Sequence, residues 1–303
     1  MLYDLIIVGG GCAGLGASIY ASRYNMNVLI LTELLGGTIT QTHLVENYPG
    51  YISLSGQELA SKLIEHSKAN NVEMKTGNRV NKITKDGDVF NVEYGKETLQ
   101  TRTVLLSTGT TYRKLGAPGE EEFASRGVSY CATCDAGFFK GKDVIMVGGG
   151  DSAVKESLIL AEHANKVTIV YRKDKFTKAE PINIKRMEST PNIETKFNAN
   201  VVEIMGEQTV SKVRLDTGEE MDVQGVFIEI GRIPLTTIVD ELGVEKNDKG
   251  EITIDGMSKT SIPGFYAAGD VTDTAWKQAI VSVAEGTQAA YSAFNFVSAQ
   301  KAS

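Results

Sequence analysis

A chain of 303 residues, 42% apolar and 23% charged, is long enough for about two domains with sizeable cores. Its formal net charge of -7 argues against a nucleic-acid surface, which needs clustered Lys and Arg, and no apolar run approaches the ~20 residues of a membrane span. Only 3 cysteines, without disulfide-framework spacing, and a start at Met1-Leu2-Tyr3-Asp4 with no basic leader lead to the expectation of a cytoplasmic protein in a reducing compartment.

Leu5 to Val8 is a short continuous apolar run, as expected for a strand buried on both faces of a parallel sheet. Gly9-Gly10-Gly11-Cys12-Ala13-Gly14 follows and opens a helical pattern through Ala17, Tyr20 and Ala21. Glycines at 9, 11 and 14 fit the dinucleotide fingerprint, in which they serve a tight turn, a close approach to the diphosphate and close helix-to-strand packing. The diphosphate would rest on free N–H groups at the helix start. A second strand, Val28 to Leu31, ends just before Glu33, an acid that suits a ribose hydroxyl and equally suits an exposed loop.

From Asn78 to Gly109 the chain alternates apolar strands with polar turns before entering a buried strand, Val104-Leu-Leu-Ser-Thr-Gly109. Cys131-Ala-Thr-Cys134 comes next and holds two of the three cysteines. Thiols at this spacing can close and reopen a small disulfide, so with nucleotide patterns on both sides the pair reads first as a redox couple. A carboxylate stands beside it at Asp135.

The opening pattern then recurs 139 positions on, as Val144-Ile-Met-Val-Gly148-Gly-Gly150-Asp-Ser152-Ala153. A helix to about His163 and a strand from Val167 to Tyr171 follow. The same offset carries Glu33 onto Arg172, next to Lys173. An acid in one site and bases in the other suit different ligands, with free ribose hydroxyls in the first and a 2′-phosphate in the second. Asn200 to Gly231 repeats the meander and buried strand of Asn78 to Gly109. Gly264 to Asp270 reads as one more buried strand, and apolar spacing predicts a closing helix from Trp276 to Phe296. The simplest topology is α/β, with two Rossmann-like, three-layer nucleotide-binding domains, each carrying a small antiparallel meander. The second domain, residues 115–237 with the CxxC pair, would be inserted in the first, residues 1–114 and 238–303.

Over almost its whole length the sequence resembles the low-molecular-weight thioredoxin reductases. The resemblance rests on Gly9-x-Gly11-x-x-Gly14, Gly36-Gly37, Glu46-Asn47-Tyr48-Pro49-Gly50 and Ser107-Thr108-Gly109. Further matches are Cys131-Ala-Thr-Cys134-Asp135, Gly148-Gly-Gly150-x-x-Ala153, Arg172-Lys-Asp174-x-Phe176, Ala268-Gly269-Asp270 and Lys277-Gln278-Ala279. It implies a homodimer that takes electrons from NADPH through FAD and the dithiol to the disulfide of thioredoxin or a thioredoxin-like protein. FAD would belong to the first domain, with contacts from Gly37, Asn47, Thr108, Gly109, Asp270, Gln278 and Ala279. NADPH would belong to the second, with Ser152 beside its fingerprint. Cys134 would be the flavin-proximal thiol, Cys131 the interchange thiol, and Asp135 the acid and base that serves the leaving thiolate.

Three departures from that pattern are Thr177 where a second basic residue is usual, Thr38 where glutamine is frequent, and Cys12 where proline is frequent. Thr177, next to Lys178, weakens the case for NADPH over NADH. It also keeps open a flavoprotein of this fold with another electron partner, either a thiol oxidase or a reductase fed by ferredoxin or a deazaflavin. A non-catalytic redox sensor is the reading from a different class. Zinc is not expected, because Cys12 and 3 histidines add no paired ligand spacing to the CxxC.

Overall fold

The computed structural model describes residues 1–302. The chain divides into two compact units, Met1–Thr111 with Ile233–Ser303, and Tyr112–Arg232. The edges expected at 114/115 and 237/238 lie slightly beyond these. The two connecting segments, Thr110–Tyr112 and Arg232–Pro234, pair as a two-stranded ribbon, so the division runs through paired strands rather than through loops.

In the first unit, strands Glu73–Thr76, Val28–Thr32, Leu2–Val8 and Glu97–Leu106 lie side by side in parallel, in that order. Side chains on Leu2–Val8 alternate between two apolar layers. Leu5 and Ile7 join Leu15, Ala17 and Ala290 on the helical side, while Ile6 and Val8 join Ile83, Phe90 and Val92 on the other. Both faces are therefore covered, which is why the strand is apolar without alternation. Strand Glu97–Leu106 changes partners along its length. Residues 97–101 pair antiparallel with Val89–Tyr94, and residues 104–106 pair in parallel with Phe265–Ala267. This first meander is thus continuous with the main sheet.

Helix Cys12–Arg23 follows the first fingerprint and packs on the last helix, Ala279–Ala302. The approach is close. A Cβ on Gly286 would meet the Ala13 carbonyl oxygen at 2.0 Å, and one on Gly16 would meet Val283 at 3.0 Å. The closing helix starts at Ala279, three positions later than the spacing predicts, and continues to Ala302. Trp276, 63% exposed, belongs to the loop before it.

In the second unit, strands Ile193–Phe197, Lys166–Tyr171, Asp143–Val147, Gly225–Ile228 and Val128–Ser129 form an all-parallel sheet in that order. Val144 and Met146 face the layer that holds Val154, Leu160 and Met187 from helices Asp151–Ala161 and Pro181–Glu188. Ile145 and Val147 face the meander through Ile204, Val213 and Leu215. Here the meander, Val201–Gly206, Val210–Leu215 and Glu220–Asp222, is a sheet of its own. The two halves repeat a plan but differ in how that plan is joined.

Candidate active site

The edge strand Val128–Ser129, paired with Gly225–Ile228, brings the chain out at Ser129, and the redox pair begins two residues later. Cys131 and Cys134 are joined as a disulfide, with Cα atoms 5.4 Å apart. Cys131 caps the short helix Ala132–Asp135, its Sγ accepting from the Cys134 N–H at 3.2 Å. The Ser129 hydroxyl accepts from the Cys131 N–H at 3.1 Å and donates to the Asp135 carboxylate at 2.7 Å. One side chain therefore ties the acid to the backbone of the first cysteine. Cys131 is buried and Cys134 exposed.

Behind this helix lies a second acidic group that the sequence reading did not identify. Glu156, on helix Asp151–Ala161, accepts from the Ala132 N–H at 3.1 Å. Glu229, just past strand Gly225–Ile228, is 6% exposed and accepts from Arg232 at 3.4 Å. The Arg232 guanidinium also stacks over the Tyr112 ring, 4.2 Å from its centroid. Burial, and after it the facing Glu229 carboxylate, hold the Glu156 carboxyl well above the usual range. Burial raises Glu229 too, against the pull of Arg232. The one signal in the sequence was Glu229 itself, an acid inside the apolar run Val226-Phe-Ile-Glu229-Ile.

Both fingerprints divide their small residues between packing and open space. In the first, Gly9 has φ +114°, and a Cβ there would meet the Ser107 carbonyl oxygen at 2.2 Å; one on Gly14 would meet the Gly9 oxygen at 2.0 Å. A Cβ on Gly11 would meet nothing closer than 3.9 Å. The second unit repeats this. A Cβ on Gly148 would meet the Glu229 carbonyl oxygen at 2.1 Å, whereas one on Gly150 would meet nothing within 4 Å. In each turn the middle position has open space beside it and the others hold the turn together, as a diphosphate cradle requires.

The remaining expected residues fall as follows. Glu33 lies beyond strand Val28–Thr32 and pairs with Arg79 at the surface. Gly37, with φ +65°, starts a 3-10 turn, and its Cβ would meet the Gly11 Cα at 2.9 Å, beside the first fingerprint. The Asn47 amide donates to Gln278 Oε1 at 3.2 Å, which joins two residues 231 positions apart. Ala279 packs with Val45, Leu54 and Leu59. The Thr108 hydroxyl donates to the Leu235 carbonyl at 2.8 Å, and Gly109 follows with φ +65°. Asp270 is close enough to Cys12 that, after burial, its charge is the next cause raising that thiol to about 12. In the second unit Ser152, Arg172 and Lys173 are exposed, neither cation has an ion pair among the described residues, and Ala153 is fully buried. No group of three or more His, Cys, Asp or Glu suited to a metal occurs among the described residues.

Over residues 3–286 the chain matches the pyridine nucleotide-disulphide oxidoreductase family. It is 40% identical over 304 residues to the thioredoxin reductase of Bacillus subtilis, covering 98% of this chain and 95% of that one. The solved thioredoxin reductase of Lactococcus lactis aligns with a TM-score of 0.95 at 36% identity, over 98% of this chain and 99% of that one. The thioredoxin reductase of T. acidophilum aligns at 0.92 and 38%, over 97% and 98%. The chain belongs to the pyridine nucleotide-disulphide oxidoreductase family.

Proposed function

We propose that the protein is a thioredoxin reductase, which carries electrons from NADPH through FAD and the Cys131–Cys134 pair to the disulfide of thioredoxin or a thioredoxin-like protein. The observation that carries this reading is a closed CxxC disulfide in the same unit as one complete nucleotide turn, with a second such turn in the other unit. Two nucleotide sites around one dithiol fit turnover better than sensing.

The first unit holds FAD. Gly9, Gly11 and Gly14 shape its diphosphate site, with Gly37 beside the turn, and Glu33 takes the ribose hydroxyls. Asp270, Thr108 and Gly109 would contribute from the adjoining loops, and Asn47, Gln278 and Ala279 would hold the flavin ring. The second unit holds NADPH through Gly148, Gly150, Ser152 and Ala153, with Arg172 and Lys173 pairing its 2′-phosphate. A bound flavin would supply a two-electron acceptor for hydride from the nicotinamide nucleotide and a two-electron donor to the Cys131–Cys134 disulfide.

The chain's own residues then handle sulfur and protons. A thiolate from the reduced pair attacks the partner's disulfide, forming a mixed disulfide and expelling the partner's thiolate. Asp135, positioned by Ser129, is the local proton donor and acceptor. The second cysteine closes the Cys131–Cys134 bond and releases the reduced partner. The enzyme works in the cytoplasm as a homodimer, without nucleic acid or membrane as a partner.

Anaerobic titration of the yellow protein with NADPH and with NADH, followed by flavin absorbance and then by addition of thioredoxin, tests the whole path. NADPH should bleach the flavin and oxidised thioredoxin should restore it. Bleaching only by reduced ferredoxin or deazaflavin, or restoration by oxygen at the rate seen with thioredoxin, would replace this reading with one of the other electron partners.

A further inference from the structure

The Glu156–Glu229 pair has no part in the relay above, yet one of its carboxyls touches the peptide between the two cysteines. We propose that Glu156 is a positioning residue of the redox pair, one that holds the Ala132 N–H and whose charge, balanced against Glu229 and Arg232, sets how strongly the reduced Cys131–Cys134 pair donates electrons. The proposal rests on the redox role of that pair.

Ala132 is fully buried, so water cannot stand in for the Glu156 oxygen at 3.1 Å, and an unpaired buried N–H is costly. The charged and titratable groups that face this carboxyl are few. Glu229 and Arg232 come from the end of strand Gly225–Ile228 and the ribbon, and Tyr112 from the opposite ribbon strand. Lys155, the neighbour on the same helix, pairs with Asp151 at 2.9 Å instead. Two carboxyls thus share one guanidinium, and one proton makes the group neutral.

Opening the disulfide breaks the S–S bond, takes two electrons and two protons, and leaves two thiols. A thiol that then ionises places negative charge near Ala132. A protonated Glu156 tolerates that charge; an ionised one repels it. The carboxyl therefore binds its proton more tightly beside the reduced, thiolate-bearing pair than beside the disulfide. By linkage, raising the pH until Glu156 ionises disfavours the reduced state and makes the dithiol the stronger reductant.

The test reads the thiols without NADPH or thioredoxin. FAD-loaded enzyme is equilibrated anaerobically with mixtures of dithiothreitol and its cyclic disulfide from pH 6 to 9.5, quenched with an alkylating agent, and its thiols counted by mass. Glu156→Gln keeps an acceptor for the Ala132 N–H and removes the charge. Its equilibrium constant for reduction should match wild type at pH 6 and exceed it several-fold at pH 9.5, a tenfold change being about 30 mV for a two-electron couple. Glu229→Gln removes the facing charge, so its Glu156 ionises earlier and its dithiol should become the stronger reductant already near neutral pH. Parallel curves for wild type and Glu156→Gln, whether superposed or offset equally at every pH, overturn the proposal, since a packing disturbance alone gives a constant offset. If Glu156→Gln does not fold, Glu229→Gln decides, and a curve unchanged from wild type overturns it. A pair that cannot be reduced at all overturns the redox reading as well.

Discussion

The Ser129 hydroxyl donates to the Asp135 carboxylate at 2.7 Å across the start of the redox helix. A hydroxyl has one proton to give, so its oxygen is left to accept from the Cys131 N–H at 3.1 Å. The acid is thereby fixed to the cysteine turn it is proposed to serve. Asp135→Asn should lower kcat with thioredoxin by about 10²-fold, in the range of a lost general acid or base. Stopped-flow reduction of the flavin by NADPH should stay close to wild type, while Ser129→Ala gives a smaller loss in the same step. A wild-type kcat for Asp135→Asn would remove Asp135 from the mechanism.

Exposure and family resemblance point in opposite directions for the two sulfurs. The resemblance makes Cys131 the interchange thiol, yet Cys134 is the exposed one in the oxidised pair. Single variants decide which sulfur attacks. If Cys131 is the interchange thiol, Cys134→Ser should trap a mixed disulfide with a thioredoxin that lacks its resolving cysteine and carries its remaining cysteine as a mixed disulfide with an aromatic thiol, which leaves as the thiolate on attack, and Cys131→Ser should not. Mass spectrometry of the trapped species reads the answer, and the reverse pattern would reassign the roles to match the exposure.

Gly148 and Gly150 make different predictions although both belong to one turn. Gly148 has φ +145°, and its Cβ would meet the Glu229 carbonyl oxygen at 2.1 Å. Gly148→Ala should therefore lower the thermal midpoint and the yield of folded protein. Gly150→Ala meets no protein atom within 4 Å, so the fold should survive with an unchanged midpoint. Its methyl group would occupy space assigned to the nucleotide, and KM for NADPH should rise by about tenfold or more. Equal KM values for wild type and Gly150→Ala would mean that the diphosphate lies elsewhere.

Arg172 and Lys173 are exposed cations without an ion pair among the described residues, and their proposed partner is the 2′-phosphate of the nucleotide. Loss of a charge-assisted bond is worth about 1.5 to 3 kcal/mol, or roughly ten- to a hundredfold. Arg172→Ala should raise KM for NADPH by about that factor and leave KM for NADH nearly unchanged. Equal increases for both nucleotides would reject this contact.

The sequence made the nucleotide turns legible because their chemistry is local. Gly9 to Gly14 and Gly148 to Ala153 each sit between a buried strand and a helix, and that context can be read within a few residues. The redox pair was legible for the same reason. The acid pair was not, because Glu156 and Glu229 meet only after the sheet brings a helix and a strand end together. Asn47 and Gln278 came from resemblance alone, since nothing local links residues 231 positions apart. The late start of the last helix was missed because apolar spacing does not mark a boundary. Helix Gly56–Ala69 has a capping box in which Ser55 and Glu58 bond each other's N–H groups, a local signal that the reading passed over.

Cys12 yields the last prediction, because it stands within a fingerprint yet outside the redox pair. Burial raises its thiol to about 12, with the Asp270 charge as the next cause. Only the thiolate reacts, and at pH 8 a group with that pKa is ionised to about one part in ten thousand. The reduced native enzyme should therefore show two titratable thiols with an aromatic disulfide reagent, and three after denaturation. Cys12→Ser should keep the wild-type flavin content and thioredoxin turnover, apart from a modest change in stability for a polar atom in an apolar place. Rapid native labelling of a third thiol, or loss of turnover in Cys12→Ser with flavin content intact, would show that Cys12 takes part in the chemistry.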